Sequence, residues 1–285
     1  MNFTKLQGAG NDFILVEADK KPLNWPKLAI AMCHRHLGIG ADGLLLLSSD
    51  KANLKMRMFN PDGSEAEACG NGLRCLVKYA LDKGLVNSQK AEISVATIAG
   101  VRRARLHTQA QKTIIQTGMG EPKFGAKDIP MALETDTTEP IMDYPLTING
   151  RKLALSFVSM GNPHAVYFDQ QPVADFPMSQ IGPKVERHPM FPSRTNFEVA
   201  RVLEQNQIEA RVWERGVGET LACGSGAGAI AVLAKLHSYT DNKVDIKLPG
   251  GTLGVEWDGV GEVLLSGPAE IVFSGEWPDE NIATD

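Results

Sequence analysis

The sequence predicts an α+β protein of two pseudo-symmetric β-rich domains. Each is expected to be a curved, mainly antiparallel sheet wrapped around a central helix, with the active site in the cleft between the two. Three observations carry that expectation. Glu67-Ala68-Cys69-Gly70-Asn71-Gly72 has a counterpart in Leu221-Ala222-Cys223-Gly224-Ser225-Gly226, at an offset of 154 residues. Gly10-Asn11-Asp12 pairs with Gly161-Asn162-Pro163, and Ala99-Gly100 with Gly250-Gly251, both at an offset of 151. In each copy the cysteine motif is followed by a helical stripe and then by two alternating apolar segments.

In the first copy, short strand-rich stretches lead to the Cys69 motif. Beyond it Leu73, Leu76, Val77, Ala80 and Leu81 recur at helical spacing, and Gly84 is placed to end that helix. Ile93 to Ile98 and Val101 to Leu106 make a hairpin around Ala99-Gly100, and Thr113 to Thr117 a further strand. The Gly/Pro-bearing stretch Gly118-Met119-Gly120-Glu121-Pro122 marks the boundary, assigning residues 1–118 to the first domain and 119–268 to the second. In the second copy Ile230, Leu233, Ala234 and Leu236 follow Gly226 among small residues, as in a helix buried on most sides. Val244, Ile246 and Leu248 alternate, Pro249-Gly250-Gly251 turns the chain, and Leu253, Val255 and Trp257 alternate again. Past Gly267-Pro268, Glu270 to Phe273 has no counterpart, and a strand at about 269–278 is expected to return to the first domain. The polar tail Glu280 to Asp285 reads as frayed.

Composition bounds the function. At roughly 150 residues per domain, 285 residues suffice for two cores without a disulfide or metal staple. A hydrophobic fraction of 43% and a charged fraction of 22% exclude disordered, collagen-like and coiled-coil chains. With 29 basic and 34 acidic residues and only 6% aromatics, neither the charge nor the stacking surface of a nucleic-acid binder is present, and no basic face suits an anionic membrane. No apolar run approaches the roughly 18 residues of a membrane span, and the N-terminus carries no export pattern, so a cytoplasmic protein is expected. In a reducing compartment Cys33, Cys69, Cys75 and Cys223 are expected as thiols. Without a C-x-x-C pair or a Cys/His cluster, no metal site is expected.

The chemistry lies in A-C-G-x-G at a helix start. Glycines allow unusual backbone angles and close approach of a ligand. The N–H groups of a helix N-terminus form an anion site. The same positive end lowers a thiol below its usual value of about 8.5, favouring thiolate. Each copy therefore offers a carboxylate-sized cradle beside a reactive sulfur. Two such sulfurs aimed at one cleft from opposite sides suit inversion at a carbon next to a carboxylate, one as base and the other as acid. Cys33 and Cys75 read as packing residues; Cys75 lies on the helical stripe beside Leu76. A redox pair is a weaker reading, because C-x-x-C is missing. Gly224 to Ala229 fits the loose dinucleotide pattern G-x-G-x-x-G/A, but Arg215 to Thr220 is not the apolar strand that fingerprint requires.

These residues resemble the pyridoxal-phosphate-independent diaminopimelate epimerases along almost the whole chain. The resemblance runs through Gly8-Ala9-Gly10-Asn11-Asp12-Phe13, Gly38-Ile39-Gly40-Ala41-Asp42-Gly43, Phe59 to Glu65, Ala68 to Gly72, Gly161-Asn162-Pro163-His164, Thr195-Asn196, Trp213 to Gly216 and Ala222 to Gly226. It implies interconversion of LL- and meso-diaminopimelate in lysine and peptidoglycan-precursor biosynthesis, on a small-molecule substrate, without a cofactor, in a homodimer. It implies that Cys69 and Cys223 are the acid/base pair, with Cys223 the acceptor and Cys69 the donor in the usual assignment. The reacting carboxylate would sit on the N–H groups of Gly70, Asn71, Gly224 and Ser225. Asn11, Asn60, Asn162, Asn196, Glu214 and Arg215 would contact substrate, and His164 and Glu214 would tune the thiols. Asn60, within Asn60-Pro61-Asp62-Gly63, equally reads as a turn residue. The chain departs from the pattern at Gly43, where many members carry a Gln that contacts substrate.

A related proline or hydroxyproline racemase is the alternative within the same chemistry. It is disfavoured because the polar set ending in Glu214-Arg215 suits a substrate with a second charged amino-acid end. A non-enzymatic ligand-binding relative would have no need of two intact cysteines. Oxidation joining Cys69 to Cys223 is expected to inactivate the protein.

Overall fold

A computed structural model describes residues 1–18, 23–50, 53–66, 69–87, 91–109, 112–133 and 137–278. Glu67 and Ala68 of the first motif and the tail Glu280 to Asp285 lie outside them. The chain divides into two units, Met1–Gly118 with Ser266–Asp285, and Met119–Leu265. No helix among the described residues is long and apolar enough to cross a membrane.

In the first unit β1 (Asn2–Gly8) and β2 (Asn11–Glu17) form a hairpin whose two turn residues, Ala9 and Gly10, both take positive φ (55° and 83°). That turn matches the twist of the flanking strands. Helix α1 (Trp25–Cys33), capped by the Asn24 side chain on the Lys27 N–H, leads into β3 (Gly43–Asp50), which lies parallel to β2. β4 (Asn53–Phe59) and the short β5 (Glu65–Ala66) follow, then α2 (Gly70–Asp82), β6 (Glu92–Thr97), β7 (Gly100–Gln109) and β8 (Lys112–Gly118).

Leu6, Phe13, Leu45, Met58, Ile93 and Ile115 close around Leu73, Leu76, Val77 and Ala80 of α2. The other sheet face sets Ile14, Val16, Leu44 and Leu46 against Trp25, Leu28 and Met32 of α1. Both faces of β2 and β3 are covered, which is why Phe13 to Val16 and Leu44 to Leu47 are unbroken apolar runs rather than alternating ones. The helix ends where Gly84 takes φ +67°, with Gly84 N–H on Leu81 C=O and Leu85 N–H on Ala80 C=O.

The second unit contains β9 (Tyr144–Ile148), β10 (Arg151–Ser159), β11 (Pro163–Phe168), a 3₁₀ turn (Val173–Asp175), α3 (Met178–Glu186), β12 (Asn196–Glu204), β13 (Gln207–Glu214), β14 (Gly218–Thr220), α4 (Gly224–Leu236), β15 (Lys243–Leu248), β16 (Gly251–Glu256) and β17 (Leu264–Gly267), within which the division falls. Its pairing repeats that of the first unit. β1/β2 and β10/β11 are antiparallel, β2/β3 and β11/β12 parallel, and β3/β4 and β12/β13 antiparallel. β4/β6 and β13/β15 are again parallel, and β6/β7 and β15/β16 antiparallel. The repeated motif is thus a repeated topology. α4 is buried along Ala227 to Ala234, where Ala227, Gly228, Ala229, Ala231 and Ala234 let strands approach closely. It closes with the same cap as α2, although Ser238 rather than glycine takes the left-handed angle, at φ +61°. The last strand, β18 (Glu270–Glu276), belongs to the first unit and pairs antiparallel with β1, placing Asn2 opposite Glu276.

Candidate active site

Both motif cysteines are N-cap residues. Cys69 (φ −150°, ψ 109°) and Cys223 (φ −129°, ψ 118°) are extended, and each begins a helix of 13 residues. The Gly72 N–H donates to Cys69 Sγ at 3.3 Å and the Gly226 N–H to Cys223 Sγ at 3.4 Å. A sulfur in the place of the usual cap oxygen receives one of the orphan donors of the first helical turn. The role of the glycines differs from the expectation above. Gly70, Gly72, Gly224 and Gly226 are not among the glycines at positive φ, so unusual backbone angles are not why they are there. What Gly72 and Gly226 supply is space. A Cβ at Gly226 would stand 3.0 Å from Glu198 Oε1, and one at Gly72 3.1 Å from Leu45 Cδ2.

In the second unit the predicted residues form one network. Cys223 Sγ lies 3.4 Å from Ser225 Oγ, which accepts from Asn162 Nδ2 at 3.3 Å. Asn162 Oδ1 lies 3.0 Å from His164 Nε2, and His164 Nδ1 lies 2.7 Å from Glu198 Oε1. His164 and Glu198 are both fully buried. Asn196 is used internally: its Nδ2 donates to Pro163 C=O at 2.8 Å and its Oδ1 accepts from the Arg215 N–H at 2.9 Å. Glu186, at the end of α3, accepts from the Gly216 N–H at 3.0 Å and from Trp213 Nε1 at 2.9 Å. Asn196 and Glu186 together pin the loop that carries Glu214 and Arg215. Glu214 accepts from Thr220 Oγ1 at 2.6 Å, while the Arg215 guanidinium is exposed and reaches Ser193 C=O at 3.2 Å.

In the first unit Asn71 Nδ2 donates to Asn11 Oδ1 at 3.3 Å, and Asn11 Nδ2 to Asp42 Oδ2 at 2.6 Å. Asn60 stands apart in its own turn, donating to Ser64 Oγ at 2.9 Å. Gly43 is crowded: a Cβ there would lie 2.9 Å from Cε at the flexible end of Met58 and 3.1 Å from Phe59 C=O.

The electrostatics of the second unit correct the expectation of a thiolate. Burial pushes the Cys223 thiol well up, and the Glu214 and Glu198 carboxylates push the same way. Hydrogen bonds with Ser225 and the Gly226 N–H oppose them without prevailing. Desolvation outweighs the helix end and favours the Cys223 thiol over its thiolate. Cys33 and Cys75 are each pushed by burial to about 12, as befits packing residues. Glu198, Glu186 and Asp42 were not among the predicted residues. A carboxylate inside the apolar run Phe197 to Ala200 was the one sequence signal for Glu198.

The model of the diaminopimelate epimerase family matches residues 3–125 and 156–272. The chain belongs to that family. It is 46% identical to the diaminopimelate epimerase of Moorella thermoacetica over 98% of this chain and 99% of that one, and 47% identical to that of Pelotomaculum thermopropionicum over the same shares. Among solved structures, a phenazine biosynthesis protein of the PhzF family from Bacillus anthracis aligns with TM-score 0.68 at 17% identity, covering 98% of this chain and 99% of that one. A probable proline racemase from Agrobacterium radiobacter aligns with TM-score 0.69 at 13% identity, covering 98% and 93%. At those identities the solved structures speak for the α+β fold with two repeated domains.

Proposed function

We propose that this chain is a diaminopimelate epimerase, a cofactor-independent isomerase that interconverts LL- and meso-diaminopimelate. The observation that carries the reading is the matched pair of cysteine caps, each sulfur held on the third N–H of its helix, in a chain 46% identical to a diaminopimelate epimerase over nearly its whole length. The step needs a base and an acid on opposite faces of one α-carbon. A thiolate takes the α-proton and becomes a thiol, leaving the electron pair on the α-carbon and its carboxylate. The second cysteine, a thiol, gives its proton to the opposite face and becomes the thiolate. The charge that builds up is spread into the carboxylate, and the N–H groups of Gly70, Asn71, Gly224 and Ser225, together with two helix dipoles, are the groups suited to hold it.

Arg215, exposed on its pinned loop, suits the distal carboxylate, and Glu214 suits an ammonium group. Asn11, Asn71 and Asn162 have both amide atoms engaged within the protein, so orienting the substrate would exchange those hydrogen bonds for contacts with it. Asn196 acts by positioning the Arg215 loop, and Asn60 through its turn. The polar set of Glu214 and Arg215 favours a substrate with two amino-acid ends over a proline-type ring. A cytoplasmic homodimer completes the reading.

The test is NMR of LL-diaminopimelate in deuterated buffer with reduced protein and no added cofactor. Deuterium at the α-position with meso product is the expected result; no exchange from a folded, reduced sample overturns the reading.

A further inference from the structure

α2 carries a cation in its packed interior. Arg74 is 0% exposed, and its Nε and Nη1 find no partner among the described residues. Its Nη2 donates to Asn71 Oδ1, one turn back along the helix. Long helical side chains lean toward the N-terminus, and the Asn71 contact places the guanidinium level with the first turn, the same turn whose Gly72 N–H holds Cys69 Sγ. The strands packed on α2 contribute Leu6, Phe13, Leu45, Met58, Ala104 and Ile115 to the core they share with it, none of which carries charge.

The charged groups on those elements are engaged elsewhere. Glu17 accepts from the Tyr79 hydroxyl, Asp12 is paired with Lys5 and Arg35, Asp42 with Arg35, Asp82 with Lys78, Arg57 with Glu65, and Arg103 and Arg105 with Glu92, while Glu270 of β18 accepts from the Gln7 side chain. Burial lowers the basicity of Arg74, and the thiols of Cys75 and Cys69 are the groups whose negative forms oppose that change. Cys75, fully buried and pushed to about 12, does not ionise near neutrality. Cys69 is the group that remains.

We propose that Arg74 is the buried counter-charge of Cys69, a positioning residue that holds the Cys69 sulfur as the resting thiolate while orienting the Asn71 amide toward Asn11. A guanidinium taken out of water needs a compensating anion, and a thiolate at a helix N-cap needs a cation beyond the helix end when its surroundings are apolar. The two units then differ in charge beneath the same topology: a cation behind the first cap, and two carboxylates, Glu198 and Glu214, behind the second. The use of this asymmetry in proton transfer rests on the acid/base reading above; the charge assignment does not.

The test is the pH dependence of iodoacetamide alkylation of Cys69 in a Cys223→Ser background, with the ultraviolet absorbance of the thiolate as a second readout. Half-maximal reactivity is expected below the ordinary thiol value of about 8.5. Arg74→Met is expected to raise that midpoint, cutting the rate at pH 7 about tenfold for each unit moved. Arg74→Lys, which keeps the charge, should restore most of it, an outcome that loss of packing alone does not produce. A midpoint at or above about 8.5 in the parent, or a folded Arg74→Met protein that titrates as the parent does, overturns the assignment. Should Arg74→Met fail to fold, Arg74→Gln takes its place and is expected to raise the midpoint in the same way, and a folded Arg74→Gln protein that titrates as the parent does overturns the assignment. A Cys69 that titrates low in a protein without α-proton exchange leaves this assignment standing and removes the epimerase reading.

Discussion

The two capping glycines, equivalent by sequence, should respond differently to alanine. At Gly226 the new methyl would stand 3.0 Å from Glu198 Oε1 and 3.4 Å from Cys223 Cβ. Glu198 cannot move away cheaply, because it is fully buried and its Oε1 lies 2.7 Å from His164 Nδ1. Overpacking of this kind costs about 1–3 kcal/mol, against a gain of about 1 kcal/mol from replacing glycine in a helix. At Gly72 the methyl would meet Leu45 Cδ2 at 3.1 Å and Cys69 Sγ at 3.4 Å. The tip of a leucine can turn, so the helix gain and the crowding nearly cancel. Gly226→Ala is therefore expected to be less stable than Gly72→Ala by about 1 kcal/mol, the difference between those opposing terms. Urea unfolding at constant m-value reads it directly, and a melting midpoint roughly 2–4 °C lower should accompany it. Because the Gly226 N–H holds Cys223 Sγ, Gly226→Ala should also slow deuterium exchange into the substrate. Equal stabilities, or a more stable Gly226→Ala, would refute the claim that Glu198 is locked against this helix.

Three further outcomes follow from the same structure. Cys69→Ser and Cys223→Ser should each fold normally, since serine is a good helix cap, yet lose exchange at the α-carbon by roughly 10²–10⁴, the usual worth of a positioned acid or base; circular dichroism and NMR separate the two effects. Burial raises the Glu198 carboxyl above its usual 4.5, with the Glu214 carboxylate adding to the rise and His164 opposing it. The folded protein therefore binds that proton more tightly than the unfolded chain does, and the stability it contributes, complete below about 4.5, is lost as pH rises through the folded value. Glu198→Gln should flatten that fall, measured as urea midpoints across the range; an unchanged slope would assign it to other groups. Ser238→Gly, at a left-handed φ of +61°, should stabilise the second unit by about 0.5–1 kcal/mol in thermal unfolding, and a loss of stability would mean the serine side chain is needed there.

Much of the fold was legible because its signals are local. Gly84 ends α2 where the apolar stripe stops, and Ala99-Gly100 and Pro249-Gly250-Gly251 turn hairpins between alternating strands. The runs Phe13 to Val16 and Leu44 to Leu47 were not singled out beforehand, although each proves to be a strand covered on both faces. Less legible were residues whose meaning depends on a distant partner. Asn196 resembles a substrate contact, but its amide is spent on Pro163 and Arg215. Glu198 lies in an apolar strand with nothing nearby in sequence to say that His164 would meet it. Arg74 lies beside Leu73, Leu76 and Val77 and drew no reading from the sequence; only its complete burial singles it out.

The sequence by itself determined the duplication, the two helix starts and the cysteine at each, because capping, turn chemistry and apolar periodicity act over a few residues. Tertiary structure decided the electrostatic surroundings of those cysteines. Ionisation responds to desolvation and to charges within a few ångströms, and the tertiary fold brings those: Glu198 and Glu214 to Cys223, and complete burial to Arg74. Two motifs of one pattern, A-C-G-x-G, therefore hold their sulfurs in the same cap geometry, while burial and two carboxylates from distant strands push the Cys223 thiol up.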